Sequence, residues 1–220
     1  IDMALAQIGA VHLPVYPTIS DSDYHFILTQ AKVRWIFITD QIVYNKLAQL
    51  RAELPLLTNI IAIEDLPSVD TYSDLLSPGI LHKRKYERRL QDIKMSLHPE
   101  DVCSIIYTSG TTGFPKGVML SHKNFCSNIE AAAHSQPLTI GHRALCFLPL
   151  CHIYQRTAVY QFIYKGVTVY YAENFKAILQ NMREVAPHGT TVVPRVLEKI
   201  LTGLYNRAYA SKGLKKPFML

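Results

Sequence analysis

The residues with the clearest chemical potential lie in Ile105-Ile106-Tyr107-Thr108-Ser109-Gly110-Thr111-Thr112-Gly113-Phe114-Pro115-Lys116-Gly117-Val118. Four hydroxyl side chains and three glycines fall in the ten residues from 108 to 117. Glycines let the backbone approach a ligand closely and take positive φ, so successive N–H groups can converge on one concavity. The hydroxyls add donors for phosphate oxygens. Lys116 adds a charge on a mobile stem, and Pro115 restricts the turn that presents it. The pattern is not a Walker A loop, which needs G-x-x-x-x-G-K-[S/T]; five residues after Gly110 stands Pro115. Composition alone would favour a Ser/Thr/Gly-rich surface loop, but the complete string suits a polyphosphate.

Such a loop needs elements to hold it. An apolar β-rich run at 102–107 leads into it, a short strand at 118–120 leads out, and Ser121 caps a helix through 133. Upstream, Ser20 with Asp23 three residues on marks a capping box for a helix through 31. The run 33–39 reads as a buried strand, 41–54 as a helix with Ile42, Leu47 and Leu50 inward, and 59–63 as the next strand. Tyr86, Leu90, Ile93 and Leu97 share one helix face. Downstream, strands are expected at 143–148, 167–171 and 190–193, with helices at 154–164 and 175–185 and a last one opened by Pro194. This alternation argues for an α/β fold of parallel-type sheets flanked by helices. A subdomain seam is expected near 70–99.

The chain has 220 residues, 49% hydrophobic and 18% charged, a globular balance able to bury a sizeable core. Its net charge of +6 suits anionic ligands and equally a merely basic surface. Cys103, Cys126, Cys146 and Cys151 show no C-x-x-C spacing and read as reduced thiols of a cytoplasmic protein. The nine histidines form no zinc-site pattern. No apolar run reaches the roughly eighteen residues of a membrane span. The run His82-Lys83-Arg84-Lys85-Tyr86-Glu87-Arg88-Arg89 could serve nucleic acid or an anionic membrane. Its simpler reading is a solvated helix face with Tyr86 turned inward. Nucleic acid is therefore not expected as a partner, and peripheral membrane contact stays open.

The string Y-T-S-G-T-T-G-F-P-K-G-V resembles the phosphate-loop motif of the adenylate-forming (AMP-binding) superfamily, which includes acyl-CoA synthetases, luciferases and peptide-synthetase adenylation domains. The resemblance implies that Thr108, Ser109, Gly110, Thr111, Thr112, Gly113 and Lys116 contact ATP. Lys116 and Thr108 would carry catalytic roles, and Thr108 would also approach Mg²⁺ through ATP. In that family a carboxylate attacks the α-phosphorus, pyrophosphate leaves, and the acyl group passes to coenzyme A. Three further segments resemble long-chain fatty acid–CoA ligases. Gly9-Ala10-Val11 with Pro14-Val15-Tyr16-Pro17-Thr18 matches an early structural segment. Leu148-Pro149-Leu150-Cys151-His152 matches a stretch near the acyl site, and Thr191-Val192-Val193-Pro194-Arg195-Val196-Leu197-Glu198-Lys199 matches a long-chain signature. By this resemblance His152, Tyr154 and Val192 line an acyl and coenzyme A channel. Fatty acid, ATP and coenzyme A are the implied substrates. Activation of an aryl or amino acid, or a basic binding module, are the alternatives.

Two positions depart from the long-chain pattern. Gln155 stands where glutamate is common before the arginine matched by Arg156. Gly189 replaces a larger apolar residue, which would either widen a pocket or loosen a strand. The family's later Y-G-x-T-E segment, its ribose-binding aspartate and its C-terminal domain with the adenylation lysine have no match within these 220 residues. Both ends look cut. The chain is thus expected to be part of an acyl-CoA synthetase N-terminal domain, truncated at both ends and inactive alone.

Overall fold

A computed structural model describes residues 1–108 and 113–210. The chain forms two compact units, Ile1–Cys126 and Ser127–Leu220. The boundary falls at Cys126/Ser127, whereas the stretch 70–99 lies inside the first unit.

In the first unit, α1 (Asp2–Gln7) is followed by α2 (Asp21–Gln30), which starts where Ser20 Oγ accepts the Asp23 N–H at 3.1 Å. Strand β1 (Trp35–Ile38) leads to α3 (Gln41–Leu50), capped by Asp40 through the Val43 N–H at 2.9 Å and prolonged by a 3₁₀ turn at Arg51–Glu53. Strands β2 (Asn59–Ala62) and β3 (Asp70–Thr71) complete a parallel sheet of order β1-β2-β3. Tyr24, Leu28, Ile38, Val43, Leu47 and Ala62 belong to the core beside this sheet.

Ile42 is 71% exposed, and Val43 takes its place on the inward face beside Leu47, which is buried as expected. With Asp40 fixing the helix start, 43 and 47 fall on one face, and 42 lies about 100° away. The expected buried strand is buried only at Ile38, and Trp35 is 48% exposed, because β1 is the edge of its sheet.

The stretch 70–99 holds two helices. Thr71 and Asp74 form a reciprocal capping box that opens α4 (Tyr72–Leu81), and α5 (Lys83–Ser96) follows after His82. Leu90, Ile93 and Leu97 are half-buried, α5 packs against α1, and a Cβ on Gly9 would meet Leu97 Cδ2 at 2.9 Å. Tyr86, expected on the same inward stripe, is 47% exposed. Next comes the antiparallel pair β4 (Val102–Thr108) and β5 (Lys116–Ser121), a hairpin that the parallel expectation did not include. The segment at His12 bridges the other side of β4. Helix α6 (His122–Ser135) starts immediately after β5 and crosses the boundary between units.

In the second unit, β6 (Arg143–Cys146), α7 (Ile153–Tyr164), β7 (Thr168–Tyr171), α8 (Ile178–Val185), β8 (Gly189–Thr190) and α9 (Pro194–Ala210) alternate. The sheet is parallel with order β7-β6-β8, as the alternation implied. The third expected strand is shorter than 190–193: residues 191–193 lie outside β8. Lys165, just past α7, donates to Ala133 O at 2.8 Å and to Gln136 O, placing a cation at the carbonyl end of α6.

Gly189 shows how this unit is packed. A Cβ there would lie 2.9 Å from Leu138 Cδ1 and 3.4 Å from Cδ2. Leu138 is a buried core residue, so the room left by the missing side chain is filled. Of the two consequences foreseen for this glycine, a widened pocket is excluded at this point. Gly189→Leu is expected to destabilise the chain by about 1–3 kcal/mol, the usual cost of overpacking. Adding Leu138→Ala should recover part of that loss, as read by denaturant melts of both variants.

Candidate phosphate-binding site

The candidate site is the loop closed by β4 and β5, within the first unit. Strand β4 is held on both sides. Ser104 is fully buried and donates its hydroxyl to His12 O at 2.9 Å, His12 N–H donates to Cys103 O at 2.9 Å, and Ile105 N–H donates to His12 O at 3.0 Å. On the other side β4 pairs with β5, from Ile105 opposite Met119 to Thr108 opposite Lys116. The base of the hairpin is tied down as well. Asn124 N–H donates to Ser121 Oγ and Ser121 N–H to Asn124 Oδ1, while His122 and Lys123 amides donate to Asp101 and Pro99 carbonyls.

Thr108 and Lys116 therefore face each other across the mouth of a seven-residue connection. Both are exposed. The Thr108 hydroxyl reaches Lys116 O only at 3.5 Å, a long contact that leaves most of its capacity to donate. Among the described residues the Lys116 ammonium has no carboxylate partner. Lys116 was expected inside the loop; it is instead the first residue of β5, so its stem is rooted in paired backbone. Gly113 has φ +89° with open space where a Cβ would point, as the phosphate-cradle reading requires. Ser109, Gly110, Thr111 and Thr112 lie outside the described residues.

Two contacts that sequence reasoning missed fix the flanks of the loop to α2. The Tyr107 hydroxyl donates to Gln30 Oε1 at 2.7 Å, and burial raises its pKa, which keeps the phenol protonated as a donor. Phe114 packs on Phe26 with ring centroids 5.5 Å apart. Phe26 and Gln30 are four apart on one helix face, so a single helix grips both sides of the loop. The spacing of 26 and 30 could be read from sequence, but not which strand would meet them. Gly117 completes the arrangement: a Cβ there would lie 3.0 Å from Ile105 Cγ2 and 3.1 Å from Tyr107 Cζ.

The proposed channel residues belong to the second unit. His152 occupies the position before α7, with φ −82° and ψ 124°; its side chain does not cap the helix and is exposed. Tyr154 is 57% exposed, and Val192 is half-buried in the segment after β8. Behind them α7 buries a polar row. Gln155 is fully buried with neither amide atom in a hydrogen bond of good geometry. Arg156, 4% exposed, donates from Nε to Tyr160 Oη at 3.3 Å, and Gln161 Nε2 donates to Ala132 O at 3.2 Å. Burial pushes the Cys146 thiol up to about 11, with the Gln155 amide pulling weakly the other way. All four cysteines are free thiols, as expected.

The sequence model of one family, described as AMP-binding enzyme, matches residues 1–218. The chain belongs to the AMP-binding enzyme family. Among curated relatives, long chain acyl-CoA synthetase 6, peroxisomal, of Arabidopsis thaliana is 32% identical over 98% of this chain and 31% of its own length. The long-chain-fatty-acid–CoA ligase FadD15 of Mycobacterium tuberculosis is 30% identical over 97% of this chain and 35% of its own. The chain thus spans about a third of the length of these relatives. Among solved structures, the long-chain-fatty-acid-CoA ligase FadD1 of Archaeoglobus fulgidus superposes with a TM-score of 0.73 at 20% identity, covering 93% of this chain and 39% of that one. The α/β fold expected from the alternation of elements is that shared fold.

Two outcomes test this description. A double-mutant cycle on Phe26→Ala and Phe114→Ala should show a coupling of about 0.5 kcal/mol in unfolding free energy, at the low end for an aromatic pair because Phe114 is 66% exposed. Strict additivity would mean that the rings do not fasten the loop. Alkylation of the native chain at pH 8 should mark exposed Cys126 and spare Cys146, whose thiolate forms only near pH 11. Mass-spectrometric mapping reads both sites at once.

Proposed function

We propose that this chain forms the ATP-phosphate-gripping part of a long-chain fatty acid–CoA ligase. The carrying observation is the hairpin that roots Lys116 opposite Thr108 at the mouth of a glycine- and hydroxyl-rich loop, in a chain matched by the AMP-binding family model over residues 1–218. Relatives of about 30% identity named as long-chain ligases support the substrate class.

In this reading a fatty carboxylate oxygen attacks the α-phosphorus of ATP. The bond from that phosphorus to the bridging oxygen breaks, and pyrophosphate departs with the electron pair. The thiol of coenzyme A then gives up its proton to water and its sulfur attacks the acyl carbon, the acyl–oxygen bond breaks and AMP leaves with that electron pair. The protein's contribution at the loop is electrostatic. The Lys116 ammonium, the Thr108 hydroxyl and donors supplied by the sequence 109–113 hold the β- and γ-phosphates and steady the charge that grows on the leaving group. Because Lys116 stands on a paired strand, the root of its side chain is fixed at the mouth of the loop.

Mg²⁺ would supply further charge neutralisation between phosphates. Among the described residues no group of three His, Cys, Asp or Glu side chains could hold a metal. A cation carried mainly by phosphate oxygens and water needs little more from this chain than an oxygen such as that of exposed Thr108, and the residues fit that role. His152, Tyr154 and Val192 are proposed to line the path of the acyl chain and coenzyme A.

Lys116→Ala in the full-length enzyme is expected to slow adenylation by about 10²- to 10³-fold, the usual loss for one preorganised electrostatic group. ATP–pyrophosphate exchange reads this step directly, and an unchanged rate would remove Lys116 from the role. Running the same exchange assay with long-chain, aryl and amino acid substrates decides the acid. Turnover of an aryl or amino acid in preference to a long-chain one would overturn the substrate class while leaving the adenylation step standing.

A further inference from the structure

Helices α4 and α5 bury no residue, and their junction carries the most exposed apolar pair on adjacent residues in the first unit. Ile80 is 75% exposed and Leu81 78%. They are followed by His82, Lys83, Arg84, Lys85 and Tyr86, all exposed, and then by Arg88 and Arg89. The stretch 82–89 thus holds five lysines and arginines against one acidic residue, Glu87. Leu76, one helical turn before Ile80, is also 44% exposed. The inward side of α5, at Leu90, Ile93 and Leu97, is the part covered where α5 meets α1, and the coverage ends before Tyr86.

The lysines and arginines of this run are solvated, as the simple sequence reading has it, but Tyr86 is not turned inward. Its ring lies 6.4 Å from the His82 ring in an edge arrangement, and Lys85 Nζ sits 5.3 Å from its centroid. An aromatic ring with a polar tip, a cationic cluster and an aliphatic pair therefore occupy consecutive exposed positions. Water penalises the aliphatic pair, and a phosphodiester backbone would satisfy the cations without rewarding Ile80 or Leu81. A bilayer interface rewards all three groups, since acyl tails take the aliphatic pair, anionic headgroups the cations, and the headgroup boundary the tyrosine. Ten residues of α4 span about 15 Å, half of a hydrocarbon core, so the geometry suits lying on a membrane and not crossing it.

We propose that the α4–α5 junction is a peripheral docking surface for anionic lipid bilayers, with Ile80 and Leu81 entering the interface and Lys83, Arg84, Lys85, Arg88 and Arg89 engaging headgroups. It does not rest on the enzymatic activity. The test is co-sedimentation of the full chain with vesicles of phosphatidylcholine alone and of phosphatidylcholine mixed with phosphatidylglycerol. Binding should appear with the anionic vesicles and weaken as salt is raised. The triple substitution Lys83→Ala/Arg84→Ala/Lys85→Ala should lower the partition coefficient about a hundredfold, at about fivefold per cation. Ile80→Asp/Leu81→Asp should lower it at least about tenfold. Both sets lie at exposed positions outside the phosphate loop, so thermal melting should stay at the parent value. Three results would overturn the proposal: no binding to anionic vesicles, binding indifferent to the Ile80/Leu81 change, or salt-sensitive binding to an oligonucleotide that displaces the vesicles. A change in oligomeric state on Ile80→Asp/Leu81→Asp would equally overturn it, by showing that protein covers the junction.

Discussion

The antiparallel pairing of Thr108 with Lys116 is the constraint on which the candidate site depends. A loop of glycines and small hydroxyl residues has little reason to hold one shape by itself, since its backbone entropy is large and it has few side chains to pack. Closing its ends with a ladder running back to Val102 and Ser121 removes much of that freedom. The same pairing turns Lys116 from a loop lysine into a strand residue. Its stem starts at a fixed point, which matters for a charge that must meet a developing anion without reorganisation.

The hairpin in turn relies on its surroundings. Ser104 buries its hydroxyl against His12 O, and the amides opening α6 are satisfied by Asp101 and Pro99 carbonyls, so the base of the hairpin leaves these groups paired. On the flank, α2 holds the loop through Tyr107–Gln30 and Phe26–Phe114. These side chains touch no ligand in the proposed chemistry, yet they hold the groups that would. The second unit shows a different economy. Leu138 fills the room beside Gly189, and the buried polar row on α7 includes a Gln155 amide without good hydrogen bonds.

Local signals carried much of the fold into view. Ser20, Ser121 and Pro194 marked true helix starts, because capping geometry is decided within a few residues. The strands of the second unit were legible as short apolar runs between helices, and their parallel order followed from the alternation. Where the reading slipped, the cause was nonlocal. Ile42 is apolar and Trp35 is aromatic, but burial depends on helix phase and on which strand lies at a sheet edge. The helix at 72–81 was hidden behind Pro78 and Gly79, and the antiparallel hairpin was masked by its parallel neighbours.

The sequence by itself determined the chemistry available to this chain: the glycines, hydroxyls and lysine from 108 to 117, and the family to which that string belongs. Those properties reside in residue types and short spacings, and they survive any arrangement of the rest. Only the tertiary structure decided that Lys116 begins a strand, that α2 holds the loop's flanks, that Leu138 occupies the space beside Gly189, and that Tyr86 faces solvent. Each of these depends on contacts between residues far apart in the chain. A packed interior assigns its limited volume only once all the competing side chains are in place.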